Sequence, residues 1–213
     1  MGKPTEVTLT YSGKHVQLTP NYSSFGKAER RSSLRFLTIL RIGRISNSRD
    51  SGLCRVQNLS DTGMMLTTGM ALGVGEHVLV ALSDSVSLAG KVAWALGERI
   101  GVQFGQPIDA GALLHMLGAE QRAGTQRAPR LPTDTVAVAH TDQGTRVMRV
   151  LNISQQGMGV AHDGSLVEGA TLKVVLPNGI ERHAVVRWSR DHKAGLRLLD
   201  PIPCDKLGSA KDL

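Results

Sequence analysis

The sequence predicts an all-β chain: two small antiparallel barrels in tandem, each of five or six short strands, with a short helix after the first. Three observations carry this. Short runs of alternating apolar and polar residues recur at roughly ten-residue spacing, as half-buried strands require. Turn-forming residues punctuate those runs, and Gly alone supplies 24 of the 213 residues. The chain also repeats itself at a spacing of 94 residues. Arg55 and Val56 recur as Arg149 and Val150, and Asn58, Ser60, Gly63 and Met64 recur as Asn152, Ser154, Gly157 and Met158. Val92 and Trp94 recur as Val186 and Trp188, and Gly101 recurs as Gly195. All share one offset without a gap, and both tryptophans of the chain are among them, so the repeat reads as two copies of one domain.

Residues 1–26 form an N-terminal extension, with a small hairpin expected over 6–11 and 15–18 around Ser12 and Gly13. The first domain is expected over 27–121, with strands near 37–42, 53–56, 77–82, 86–94 and 100–104. Cys54 falls in one of these runs and reads as a small core residue. The glycine-rich stretch from Gly69 to Gly75 lies between strands and reads as a turn. Asp109 is placed to cap a helix over 110–121, whose Leu113, Leu114, Met116 and Leu117 can pack one face on the barrel. A linker rich in Gly, Pro, Thr and Arg is expected over 122–133. The second domain, 134–213, echoes the first in strands near 146–151, 171–176, 182–188 and 195–199. Its tail from residue 204 has room for one helical turn.

Composition excludes several classes. Apolar residues make 41% and charged residues 20%, which fits an ordered globular protein. No apolar run is long enough to cross a membrane, and the first residues hold no apolar signal core, so a cytoplasmic protein without membrane insertion is expected. Two cysteines, Cys54 and Cys204, are too few for a disulfide framework or a Cys-based zinc site. The seven histidines show no metal-ligand spacing, so no metal is expected. No nucleophile elbow, phosphate loop, zincin helix or dinucleotide fingerprint occurs, and no carboxylate pair presents itself. The chain is therefore read as a non-enzyme with no catalytic residues and no cofactor.

Charge is concentrated. The net charge is +7, and the window from Lys27 to Arg49 holds seven basic residues against Glu29 alone. Such an excess points to an anionic partner. Within it, Arg30, Arg31 and Arg35 precede the first strand. Arg31 and Arg35 stand four apart, so two planar guanidinium forks can embrace one bulky anion, pairing phosphate or a guanine edge bidentately. A second group follows a strand at Asn58, Ser60 and Gly63. Asn58 and Ser60 offer an amide and a hydroxyl to a purine edge or to the loop itself. Gly63 permits positive φ or close backbone approach.

These two groups, Arg31-Ser-Ser-Leu-Arg35 and Asn58-Leu-Ser-Asp-Thr-Gly63, resemble the paired motifs of the PilZ family of bacterial cyclic di-GMP receptors, Arg-x-x-x-Arg and Asp/Asn-x-Ser-x-x-Gly. The runs from Gly90 to Trp94 and from Ile100 to Phe104 look like that family's closing strands. The resemblance implies two six-stranded antiparallel PilZ-type barrels, with ligand on the outer wall of the first. It implies Arg30, Arg31 and Arg35 over the ligand's phosphates and guanines, Asn58 and Ser60 on a guanine, and Gly63 shaping the turn. Trp94 is either barrel core or a wall beside the ligand. The third cation, Arg30, favours a stacked ligand dimer, two molecules per site.

The second copy departs from the pattern. It keeps Asn152-Ile-Ser-Gln-Gln-Gly157, but Thr125 and Pro129 stand where Arg31 and Arg35 do in the first. Each lost charged hydrogen bond costs about 1.5–3 kcal/mol, so this copy is expected not to bind cyclic di-GMP appreciably. Its retained motif is expected to tie down a turn by local hydrogen bonds. The second barrel then serves a protein effector or a homodimer contact. The resemblance implies a receptor in which ligand orders the arginine segment over the first barrel and switches interdomain or partner contacts. Two other readings stand beside it. One is a PilZ-like interaction module that binds no nucleotide. The other is a basic barrel binding nucleic acid, which is disfavoured because seven aromatic residues are few for stacking bases.

Overall fold

Apolar alternation closes into two barrels of identical topology. The computed structural model describes residues 9–11, 14–16, 41–124 and 127–213. A two-stranded antiparallel hairpin, β1 (Leu9–Tyr11) and β2 (Lys14–Val16), comes first, within the segment where one was expected. The first barrel takes β3 (Arg41–Ser46), β4 (Ser51–Ser60), β5 (Gly63–Thr68), β6 (His77–Ala81), β7 (Ser87–Leu96) and β8 (Arg99–Phe104), closed in the order β3-β4-β5-β8-β7-β6. The second takes β9 (Leu131–Thr141), β10 (Gly144–Ser154), β11 (Gly157–Ala161), β12 (Thr171–Val175), β13 (Glu181–Arg190) and β14 (Lys193–Leu198). Its ring, β10-β11-β14-β13-β12-β9, is the same one.

Inward positions fill each barrel. Ile45, Val56, Leu66, Val80, Val92 and Ile100 meet inside the first, and Val150, Ile153, Val160, Val174, Val186 and Leu196 inside the second. Each such side chain contributes about 1.5–3 kcal/mol on burial. Cys54 is buried among the first set, as expected, and burial pushes its thiol pKa up to about 12.

Two elements differ from those expected. β5 and β11 begin directly at Gly63 and Gly157, so the motif glycines that read as turn residues also open strands. β9 begins at Leu131, inside the segment read as linker, because Leu131 is fully buried and Pro132 pairs with Asn152. Of the first expected strand, residues 37–40 lie outside the described residues.

The helix α1 (Ala110–Arg122) follows β8. Asp109 caps it, its carboxylate accepting from the Ala112 N–H at 2.8 Å. Asp61 accepts a second orphan donor, the Ala110 N–H, at 3.1 Å. Leu113 and Leu117 are buried against the barrel, and Leu114 and Met116 pack more loosely. Among the described residues no helix is long and apolar enough to cross a membrane.

The segment after β14 returns to the first barrel. A 3-10 turn (Cys204–Leu207) leads into residues 208–213. There the Ala210 N–H donates to the Ser51 carbonyl at 2.7 Å, and the Ser209 hydroxyl donates to Asp50 at 2.7 Å. A Cβ on Gly52 would stand 1.8 Å from the Gly208 carbonyl oxygen, so only glycine permits this contact. Leu53 of β4 is buried in the second barrel's apolar cluster together with Leu207 and Leu213. The two barrels thus share a packed seam.

Candidate functional site

Four bulges decide what faces outward. The ladder slips between Val56 and Asn58 on β4 and between Val92 and Trp94 on β7. It slips at the equivalent places, Val150/Asn152 and Val186/Trp188, in the second barrel. A bulge sets two residues against one and reverses the inward–outward phase. Val56 and Leu59 are therefore both buried, while Asn58 is turned to the outer wall. Trp94 follows the buried Val92 by two and would point inward in a regular strand. The bulge turns it out instead, and 42% of its surface is exposed. This excludes the barrel-core reading of Trp94.

Asn58, Ser60, Gly63 and Trp94 line one shallow groove on the first barrel, with a volume of roughly 320 Å³. Met65 and Gln103 complete its walls. The Asn58 carbonyl oxygen accepts the Met65 N–H at 3.1 Å, which fixes the amide's orientation and turns its NH2 group away from that bond. The Ser60 hydroxyl donates to the Gly63 carbonyl at 3.1 Å, leaving its oxygen as an acceptor. The floor therefore offers one donor group and one acceptor, the complement of a guanine edge. Arg30, Arg31 and Arg35 lie outside the described residues.

Gly63 does not have positive φ. Its role is close approach: a Cβ there would stand 2.5 Å from the Val102 carbonyl oxygen of β8. Sequence reasoning missed Gly101, which lets Trp94 lie flat across β8. A Cβ on Gly101 would meet the indole nitrogen at 2.1 Å. The co-occurrence of Trp and Gly at the same offset in both copies was the available signal. Asp61, inside the motif, ties the β4–β5 turn to α1 rather than facing a ligand through the same oxygen.

The second barrel repeats the arrangement with changes around Asn152. Ser154 donates to the Gly157 carbonyl at 3.1 Å, the local bond expected there. Trp188 lies over Gly195 and is 41% exposed. Asn152 differs: its carbonyl oxygen accepts from the Arg130 guanidinium at 2.9 Å, a side chain arriving from the connection between the barrels. Asn152 lies over Gly159, where a Cβ would stand 2.7 Å from its amide nitrogen; the first barrel has Met65 there. Among the described residues, no three His, Cys, Asp or Glu side chains gather as metal ligands.

Comparison with known proteins follows the same division. The PilZ domain family model matches residues 29–118 and again 124–208. A search of curated proteins finds no match. Among solved structures, the chain is similar to the Borreliella burgdorferi PlzA protein in complex with c-di-GMP, at 13% identity and a TM-score of 0.35, over 82% of this chain and 90% of that one. It is similar to the Bacillus subtilis inhibitor of motility MotI/DgrA at 13% identity and a TM-score of 0.32, over 81% and 94%. It is also similar to YcgR from Escherichia coli in complex with c-di-GMP, at 14% identity and a TM-score of 0.29, over 75% and 76%.

Proposed function

The chain belongs to the PilZ domain family, and from that premise we propose that it is a cyclic di-GMP receptor acting through its first barrel. The observation that carries this is the meeting of Asn58, Ser60, Gly63 and Trp94 in one outer groove, in a domain whose sequence also holds Arg30, Arg31 and Arg35. The Asn58 NH2 donates to guanine O6 or N7, and the Ser60 oxygen accepts from the guanine N–H edge. Trp94 forms the side wall. The arginines supply the bidentate cations that a phosphodiester requires. Ligand binding orders the arginine segment against the barrel, an order–disorder switch driven by new arginine–phosphate pairs. The protein acts by binding rather than by catalysis. Because the barrels share a seam of buried side chains and backbone contacts, the output is read as a change in what a partner meets on the first barrel, not as separation of the two barrels.

The test is calorimetric titration with cyclic di-GMP of the parent chain, Arg35→Ala and Asn58→Ala. Saturable binding weakened about ten-fold or more in both variants supports the reading, and the stoichiometry separates one ligand from two. Identical isotherms for parent and Arg35→Ala refute it.

A further inference from the structure

The duplication gives both barrels the same apolar wall, and among the described residues only the first barrel's is covered. There the outward residues of β3 and β4 include Ile42 and Leu53. Leu53 is buried and Ile42 is partly buried, both against the second barrel's apolar cluster. At the 94-residue offset these positions are Val136 and Val147. In the second barrel they are open to solvent, at 51% and 66%. Register joins them to two further valines. Val175 of β12 pairs with Val138 of β9, and Val138 pairs with Val147 of β10. The alternate residues Ala137, Ala139, Met148 and Val174 are buried, so all four valines face outward from three adjacent strands. The first barrel has Arg44 and Ala81 where the second has Val138 and Val175, so the uncovered wall is the more apolar one. Contiguous apolar surface of this kind marks a contact site.

We propose that the outer wall of β9, β10 and β12 pairs with a second copy of this chain, related by a two-fold axis and presenting the same four valines. Three observations select that occupant. Residues 208–213 reach the first barrel at backbone distance beside Leu53, an approach that Gly52 alone permits. Arg146 stands at the position of Gly52 in the second barrel, so a second copy's tail cannot come to the valine wall in the same manner. That tail is also held in its own chain by the Ala210–Ser51 and Ser209–Asp50 bonds. Head-to-tail extension of the seam is thereby blocked, and a second copy is left to offer the valine wall itself.

Charge on the rim agrees. Arg149, the register partner of Val136, joins Asp134 at 3.0 Å. Glu181, the register partner of Val175, joins Lys173 at 2.6 Å. Each corner carries both signs, so a second copy turned about an axis in the plane of contact meets no net like charge. A strongly charged partner finds no counterpart there. Four valines and this rim make a small contact, so the dimer is expected to be weak and concentration-dependent. None of these residues lines the first barrel's groove, so this pairing and the cyclic di-GMP reading stand or fall separately.

Sedimentation equilibrium of the full, ligand-free chain, from micromolar to millimolar concentration, tests the pairing. A reversible monomer–dimer equilibrium is expected, weakened about ten-fold or more by Val136→Lys and by Val147→Lys, since each buries an unpaired charge twice in a symmetric contact. Val167→Lys is the control: Val167 is exposed between β11 and β12, outside the wall, and its substitution is expected to leave the equilibrium unchanged. The substituted valines reach solvent, and far-ultraviolet circular dichroism confirms that the variants are folded. Val138→Cys, at the centre of the row, is expected to form a covalent dimer under mild oxidation, whereas the parent, with Cys54 and Cys204 buried, forms none. A parent that stays monomeric throughout overturns the proposal. So does a dimer that Val136→Lys and Val147→Lys leave unchanged. A monomer that instead sediments with phosphatidylcholine vesicles, and is released from them by Val147→Lys, assigns the wall to a membrane surface and likewise overturns it.

Discussion

Gly52→Ala tests the seam between the barrels. The added Cβ would stand 1.8 Å from the Gly208 carbonyl oxygen and 2.5 Å from its carbon. Both are backbone atoms, so no rotamer change relieves the clash, and residues 208–213 must withdraw. Full withdrawal loses the Ala210–Ser51 bond, about 0.5–1.5 kcal/mol, and the Ser209–Asp50 bond to a charged acceptor, about 1.5–3 kcal/mol. Exposing Leu213 adds about 1.5–3 kcal/mol. A backbone shift keeps part of this, so the expected loss is at least about 2 kcal/mol, or a Tm lower by about 4 °C or more. Thermal unfolding followed by circular dichroism measures it, with amide hydrogen exchange at Ala210 as the local readout. Gly105→Ala is the control, since a Cβ there meets nothing within 4 Å. If Gly52→Ala unfolds within about 0.5 kcal/mol of the parent and Ala210 stays equally protected, the seam is not packed as described.

Three further expectations follow from local geometry. Asp109→Ala removes the α1 cap and is expected to cost about 0.5–2 kcal/mol by urea unfolding, with Asp61 still holding the Ala110 N–H. Gly101→Ala, in a Trp188→Phe background so that Trp94 alone reports, is expected to drive the indole off β8 and red-shift its emission; an unchanged spectrum contradicts the packing. Cys54 has its thiol pKa raised by burial from 9.0 to about 12. A raised pKa stabilises the fold below the unfolded value, and that contribution is lost as pH climbs from about 9 toward about 12. Cys54→Ala is expected to flatten that part of the pH–stability curve, and Cys54 is expected to react with a thiol reagent only after unfolding.

Much of the architecture was legible because duplication left its punctuation in place. Asn58/Asn152, Trp94/Trp188 and Gly101/Gly195 occupy matching positions in both barrels. The Asp109 cap could be read from the residue type alone. What escaped reading depended on register. Alternation sends Trp94 inward, and only the bulge after Val92 turns it out. Residues that open a strand while also forming a turn, such as Gly63, carry two signals in one position. The cleft between the barrels, with Arg44 of β3 and Arg197 of β14 on its wall, was hidden for another reason. Arg44 and Arg197 are 153 positions apart in the chain, and no local pattern joins them.

The seam also imposes an order of assembly. Ser209 bonds Asp50 across 159 residues, one of the most distant contacts in sequence. The first barrel's own ring needs no residue beyond Phe104, so it can close while the remainder of the chain is still being synthesised. Until residue 208 arrives, the face bearing Gly52, Leu53 and Gly69 stays uncovered. During translation this face of the first barrel is thus closed off only when residues 208–213 arrive.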